Sequence, residues 1–92
     1  MEYRIVAIKP SSQYIHNKYY PMLIGRECDI LELMVGTHGW LLVDMLYDPG
    51  RPHRFRTTPV LDIQNKDDGT VIFTTENSVY TLVAKNGEES NT

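Results

Sequence analysis

Short runs of alternating hydrophobic and polar residues extend along most of this chain, and proline, glycine or acidic turn residues close them. β-branched and aromatic side chains are frequent in these runs, as is typical of strands. The runs predict strands over residues 3–8, 27–35, 40–47, 53–64, 70–75 and 79–84. We therefore expect a mainly β domain of five or six short strands.

The turns in the second half of the sequence are the clearest. Asp68 and Gly69 close one hairpin, because glycine readily supplies the positive φ that such turns need. A second tight turn covers residues 76–78, and residues 48–52 end the strand before them with two prolines and a glycine. Pro59 interrupts the run 53–64 and predicts an edge strand or a bulge there.

Residues 22–35 fit two patterns. Their apolar side chains follow helical spacing, but they also alternate as in a strand. Gly25 disfavours the helix by about 1 kcal/mol relative to alanine, and the neighbouring runs are strand-like. We favour a strand over residues 27–35; the alternative is an α+β fold with a short helix within residues 22–35.

The predicted architecture is a small SH3-like barrel, since closure removes the exposed edges that an open sheet of this size would have. The single domain would span residues 1–84 and be followed by a disordered polar tail over residues 85–92. A chain of 92 residues is long enough to bury one core without metals or disulfides.

The charge and the cysteine count narrow the class of protein. The net charge is −3, whereas a small nucleic-acid-binding protein is usually basic. One cysteine permits no internal disulfide, which is typical of a reducing compartment. The first residues lack the apolar region of a signal peptide, and no apolar run is long enough for a membrane span. We expect a soluble cytoplasmic protein.

The first candidate site is a cationic cluster. Its members follow the turn at residues 48–52 and are Arg51, His53, Arg54 and Arg56. Strand alternation places Arg54 and Arg56 on one face, roughly 7 Å apart, where guanidinium groups could bind a carboxylate or a phosphate. The alternative is a solvated strand face whose arginines pair with acids; if Asp44 is buried, Arg54 or Arg56 on an adjacent strand is its natural partner.

The second candidate site is a long aromatic loop over residues 14–21, just before the ambiguous segment, with room for one helical turn. Its members are Tyr14, His16, Tyr19 and Tyr20. Tyrosine combines a rigid apolar ring with a polar tip, which suits recognition surfaces. In SH3-like barrels the long first loop often lines the ligand groove. The alternative is that two of the three tyrosine rings belong to the core.

Nothing in the sequence matches a catalytic, metal-binding or cofactor-binding motif. Cys28 lies within an apolar run and is expected to be a small buried hydrophobic residue rather than a nucleophile. His16, His38 and His53 are far apart and have no cysteine at zinc-ligand spacing. We predict no catalytic residues, no metal and no cofactor.

Residues 56–82 resemble the C-terminal half of small uncharacterised β-rich proteins of bacterial and phage genomes. The matching residues are Arg56, Thr57, Pro59, Val60, Thr75, Asn77, Ser78 and Tyr80. The resemblance implies a β-rich fold and a mobile-element origin, and it assigns a role to no residue.

Three functional hypotheses remain. The favoured one is a non-catalytic binding, adaptor or regulatory module that engages a protein partner through the two candidate sites. A nucleic acid bound by residues 51–56 is the alternative that the net charge disfavours. A third is a structural homo-oligomer, in which the apolar faces of residues 41–47 pair with a second copy.

Overall fold

The computed structural model of this chain describes residues 1–15 and 17–85. Its elements, in chain order, are β1 (Tyr3–Pro10), α1 (Tyr20–Leu23), β2 (Glu27–Glu32), β3 (His38–Val43), β4 (His53–Asn65), β5 (Val71–Thr75) and β6 (Ser78–Ala84). Each strand pairs antiparallel with the next, and β6 pairs with β1, so the sheet closes into a six-stranded barrel. The prediction of a mainly β, small barrel is confirmed, while the SH3-like relationship stays a prediction.

The core fills the interior of the barrel and comes from alternate positions of the strands. Val71 and Phe73 of β5 point inward, as do Tyr80 and Leu82 of β6. The rings of Phe73 and Tyr80 are stacked with their centroids 4.7 Å apart. Cys28 is fully buried among these residues, as predicted. Alternation therefore identifies the inward face, as expected for side chains in a pleated strand.

The ambiguous segment forms a strand, as favoured, but a shorter one than predicted. β2 ends at Glu32, and the chain then turns, with Gly36 at a φ of +95°. The helical alternative is wrong for most of residues 22–35, because α1 is a single turn that reaches only Leu23. Gly25, at a φ of +89°, takes the chain out of that turn and into β2.

The two C-terminal hairpins form as the turn residues predict. Gly69 has a φ of +88°, and the N–H of Lys66 donates to the carbonyl of Thr70 at 2.9 Å across the first turn. Residues 76–77 alone separate β5 from β6. These turns fix the register of β4, β5 and β6.

The predicted irregularity at Pro59 is a bulge. His38 of β3 pairs with Pro59, yet Trp40, two residues later, pairs with Arg56, three residues away along β4. One extra residue therefore lies in β4. Such a bulge bends a strand, and β4 is the long strand that pairs with β3 at one end and with β5 at the other.

The aromatic loop is fixed to the barrel by α1. Tyr20 and Leu23 are its buried residues. The hydroxyl groups of Tyr20 and Ser78 share a hydrogen bond of 2.6 Å, and the Tyr20 ring packs edge-on against Tyr80 at 6.1 Å. This anchoring determines where the remaining loop residues lie.

The start of the predicted tail is attached to the barrel. The N–H of Lys85 donates to the carbonyl of Glu2 at 2.9 Å, and its ammonium group pairs with Glu27. Residues 86–92 of that predicted tail lie outside the described residues. Over residues 1–15 and 17–85, the structure contains no helix with the length and apolar character to cross a membrane.

Candidate binding site

A pocket of about 220 Å³ brings the aromatic loop and the cationic cluster together. We call it the aromatic pocket. Its floor is apolar and consists of Leu23, Val43, Met45 and Phe55. Its rim consists of Tyr19, Tyr47, His53 and Arg54. Two segments more than 30 residues apart in sequence, one around Tyr19 and one around His53, thus contribute to a single concave surface.

Tyr19 reaches this rim because it stands at the start of α1. Its N–H donates to Asn17 Oδ1 at 2.8 Å, and its carbonyl accepts from the N–H of Leu23 at 3.0 Å. The Tyr19 ring remains 49% exposed, and the ammonium group of Lys18 lies 5.4 Å from its centroid. The backbone of Tyr19 is therefore fixed while much of its ring is available for contact.

Tyr47 and His53 form the opposite side of the rim. Their rings meet edge to face with centroids 5.3 Å apart. His53 Nε2 donates to Asp48 Oδ2 at 2.9 Å, which orients the imidazole. Tyr47 is 62% exposed. The hydrogen bond and the ring contact hold two side chains in a defined arrangement at the mouth of the pocket.

The arginines of the cluster face solvent, as alternation predicts, but their expected partner is wrong. Asp44 pairs with Arg26, whose Nη2 lies 3.6 Å from Asp44 Oδ2 and whose Nε donates to the Asp44 carbonyl at 2.7 Å. Arg26 immediately precedes β2, and the N–H of Asp44 donates to the carbonyl of Glu27, so the β2–β3 pairing brings the ion pair together. Arg54 and Arg56 are left on the outer face of β4.

The two strand arginines have different surroundings. The Arg56 guanidinium lies 6.0 Å from the centroid of the Trp40 ring, its neighbour across β3 and β4. The side chain of Arg54 makes no hydrogen bond or ion pair with any other residue in the part of the chain that the structure describes. Arg51 is exposed in the turn before β4 and lines neither this pocket nor a neighbouring one.

The four predicted loop residues separate. Tyr19 lies on the pocket rim, whereas Tyr14 is 82% exposed and lies outside the pocket. Tyr20 is a core residue whose ring and hydroxyl are already in contact with the barrel, so it offers little surface to a ligand. One of the three tyrosine rings is thus core, rather than two. His16 lies outside the described residues.

Tyr47 is the functional candidate that the sequence pattern did not identify. Alternation along residues 40–47 assigned it to the same face as Leu41 and Val43, which would have made it core. The chain leaves β3 after Val43, however, and only Met45 continues inward. The signal that could have identified Tyr47 is its place immediately before the Asp48–Pro49–Gly50 turn, where the strand pattern has to end.

A second depression adjoins the aromatic pocket. We call it the Trp40 shelf; it has a volume of about 300 Å³ and is lined by Leu31, Glu32, Trp40 and Arg54. Arg54 is common to the shelf and to the aromatic pocket. Arg54 therefore lines two depressions, the aromatic pocket, whose floor consists of inward-facing residues, and the Trp40 shelf.

A third, shallower groove lies between β1 and the loop. Its volume is about 870 Å³, and Ile8, Pro10 and Ile15 contribute apolar surface to it. Lys18 is the one charged residue in its lining. The groove is wide and open, so it provides fewer geometric constraints on a ligand than the aromatic pocket does.

The structure offers no activated nucleophile at Cys28. Burial raises the pKa of its thiol from the ordinary value of 9.0 to about 12, so the thiol stays protonated at neutral pH. Among the described residues, no group of three or more His, Cys, Asp or Glu side chains is placed to hold a metal ion. The arrangement is suited to binding through shape, rings and one cation.

Comparisons with protein-family models, with curated proteins and with solved structures found no match to this chain.

Proposed function

We propose that this barrel is a non-catalytic binding module that takes an apolar side chain of a protein partner into the aromatic pocket. The observation that supports this most strongly is the shared rim, on which Tyr19 of the loop faces the same cavity as His53 and Arg54 of the cationic cluster. Tyrosine and arginine are enriched among the residues that dominate binding energy in protein interfaces.

The size of the pocket favours a side chain over a free small molecule. Small-molecule and cofactor sites typically enclose roughly 300–1,000 Å³, whereas the aromatic pocket has about 220 Å³. Its apolar floor and half-exposed tyrosine rim resemble the pockets that hold the anchor residue of a partner, surrounded by a polar edge.

The charge distribution favours a protein over a nucleic acid. Nucleic-acid backbones present a row of phosphates, and affinity for them depends on several cations acting together. Here Arg54 shares the shelf with Glu32, Asp48 is hydrogen-bonded to His53 on the rim of the aromatic pocket, and the whole chain carries a net charge of −3. A row of phosphates would come close to both carboxylates and be repelled by them. A peptide with isolated charges can bind without placing a negative charge beside either carboxylate.

Self-association through residues 41–47 has less support. Leu41, Val43 and Met45 are buried inside the barrel, so the face that would have paired with a second copy is already used. Leu46 and Tyr47 remain exposed at the end of the segment. Tyr47 lines the aromatic pocket. Binding of a partner's side chain there would explain its exposure as well as self-association would.

A displayed library of random peptides tests the proposal, with the intact protein as the bait. Peptides enriched on the wild-type protein are then measured on Tyr47→Ser, which removes one side of the rim, and on Tyr14→Ser. Tyr14 is the matched control, because it is a more exposed tyrosine that does not line the pocket. We expect the affinity for the enriched peptides to fall about tenfold or more in Tyr47→Ser and to be unchanged in Tyr14→Ser.

Two results would count against a protein-binding pocket. One is a selection that enriches no peptide above background. The other is a set of enriched peptides that bind Tyr47→Ser as tightly as the wild type. A salt titration with a single-stranded oligonucleotide provides the test of the alternative, because binding that grows steeply at low salt would favour a nucleic acid instead.

A further inference from the structure

Among the residues that the structure describes, Arg54 is the one that lines both the aromatic pocket and the Trp40 shelf. On one side it contributes to the rim of the aromatic pocket, and on the other it lines the shelf together with Trp40 and Leu31. Its place on β4 opposite Leu42 of β3 fixes the backbone, and its side chain is exposed to solvent. A ligand that fills both depressions has to pass this cation.

The cation is available for a ligand. Arg26 and Lys85 are engaged with Asp44 and Glu27, and Arg56 lies against the Trp40 ring. Arg54 has no such contact with another described residue. A guanidinium group presents planar N–H donors that match a carboxylate in a bidentate arrangement, and it is less strongly hydrated than an ammonium group.

The surroundings of Arg54 are suited to a single negative charge. Glu32 lies on the shelf side, and Asp48 is held near the pocket side by its hydrogen bond to His53. Further anionic groups on a ligand would meet these carboxylates. The floor of the aromatic pocket, by contrast, is apolar, and Leu31 and Trp40 supply the apolar part of the shelf beside Glu32 and Arg54.

We infer that the partner segment carries one carboxylate between two apolar side chains, with the carboxylate on Arg54, one apolar group in the aromatic pocket and the other on the Trp40 shelf. This inference rests on the proposed function and names the chemistry of the partner. It assigns specificity to Arg54 and most of the contact area to the apolar surfaces on either side.

The peptide selection, run in parallel on three proteins, tests this chemistry. The baits are the wild type, Arg54→Gln, and Arg51→Gln as the matched control, since Arg51 is exposed, belongs to the same cationic cluster and lines neither depression. We expect Asp or Glu between apolar residues in the peptides enriched on the wild type and on Arg51→Gln, and loss of that acidic preference on Arg54→Gln.

Direct titration of the best enriched peptide adds a quantitative readout. Replacing its acid by the corresponding amide should weaken binding to the wild type about tenfold and leave binding to Arg54→Gln unchanged. The chain has one tryptophan, and it lies on the shelf, so the emission of Trp40 should shift when either the wild type or Arg51→Gln is saturated.

The failures of the two proposals are distinguishable. Enriched peptides that need Tyr47 but show no acidic preference, or that keep the preference on Arg54→Gln, would overturn the inference and leave the binding module in place. Saturation without a change in Trp40 emission would remove the shelf from the site and so also overturn the inference. An absence of any enriched peptide, or binding of an oligonucleotide that depends on Arg54, would overturn both.

Discussion

The hydroxyl group of Thr57 satisfies a buried backbone amide at the start of β3. Its Oγ1 accepts from the N–H of Gly39 at 2.9 Å and donates to the carbonyl of Thr58 at 2.7 Å. Both Thr57 and Gly39 are buried, so water cannot replace a lost hydrogen bond at this point. The Thr57 hydroxyl therefore adds a buried side-chain hydrogen bond to the β3–β4 pairing beside the bulge.

Replacing Thr57 by valine tests that role. Valine keeps the shape but leaves the Gly39 N–H unsatisfied, which should lower the free energy of unfolding by about 1–3 kcal/mol. Thr57→Ser keeps the hydroxyl group, loses one methyl group and should be less destabilising, at about 0.8 kcal/mol. Urea unfolding of the two variants measures the difference, and equal stability of Thr57→Val and wild type would show that the hydrogen bond does not matter.

Cys28 links the stability of the barrel to alkaline pH. Its thiol has a pKa of about 12 in the folded protein and an ordinary value of 9.0. Above pH 9 the unfolded chain loses this proton while the folded chain keeps it, so the free energy of unfolding should fall by up to roughly 1.4 kcal/mol per pH unit. Below pH 9 the Cys28 thiol is protonated in both the folded and the unfolded chain, so it adds no pH dependence to the free energy of unfolding there.

Urea unfolding at pH 8, 9 and 10 measures this dependence. Burial also raises the pKa of Tyr80 above its ordinary value of 10.0, so that residue adds to the decline at higher pH. Cys28→Ala should therefore reduce the fall in the free energy of unfolding between pH 9 and 10. The further fall that Tyr80 causes at higher pH should remain. An unchanged slope in Cys28→Ala would contradict the assignment to the thiol.

At the scale of the elements, two glycines have similar backbone conformations but different surroundings. Comparing them distinguishes the effect of backbone conformation on stability from the effect of packing. Gly50 and Gly69 have φ values of +82° and +88°, which side chains other than glycine rarely adopt. A Cβ added at Gly50 would meet nothing within 4 Å, whereas one added at Gly69 would lie 2.9 Å from the Cβ of Ala84. The β4–β5 turn thus packs closely against the end of β6.

Alanine variants at both positions test this difference. Gly50→Ala should lower the free energy of unfolding by about 1–2 kcal/mol, which is the usual effect of the left-handed backbone conformation alone. Gly69→Ala should be more destabilising by about 1 kcal/mol or more, because the added methyl group also overpacks the hairpin. Equal destabilisation in urea unfolding would mean that the turn moves away from β6 freely.

The attachment of α1 to the barrel through Tyr20 is a second feature at the scale of the elements. Tyr20→Phe removes the hydroxyl that bonds to Ser78 and should lower the free energy of unfolding by about 1 kcal/mol. Tyr14→Phe, at an exposed tyrosine of the same loop, should stay within about 0.5 kcal/mol of wild type. Similar values for both variants in urea unfolding would show that Tyr20 does not anchor the loop.

Much of the element structure was predictable because its causes are local. Turns such as Asp68–Gly69 depend on a few adjacent residues, and alternation correctly placed Arg54 and Arg56 on one exposed face of β4. The end of β2 at Glu32 and the exposure of Tyr47 were not predictable in this way. Both depend on where the neighbouring strand stops pairing, which is a property of the assembled sheet.

At the scale of the whole molecule, closure of the barrel creates the candidate site. β3 and β4 carry its cationic side, and α1, fixed by Tyr20, carries its aromatic side. The sequence indicated both segments but not their convergence, and it paired Asp44 with the wrong arginine. Arg26 and Asp44 are 18 residues apart, and only the pairing of β2 with β3 brings them together.

The most direct test of the proposed pocket is an NMR titration of the isotope-labelled wild-type protein with a peptide enriched by the selection. The predicted result is a coherent set of chemical-shift changes in Tyr19, Tyr47 and Arg54 that saturates at one equivalent, with Tyr14 and Arg51 unaffected. Changes confined to the groove between β1 and the loop, with Tyr47 and Arg54 unperturbed, would contradict a shared site for the two segments.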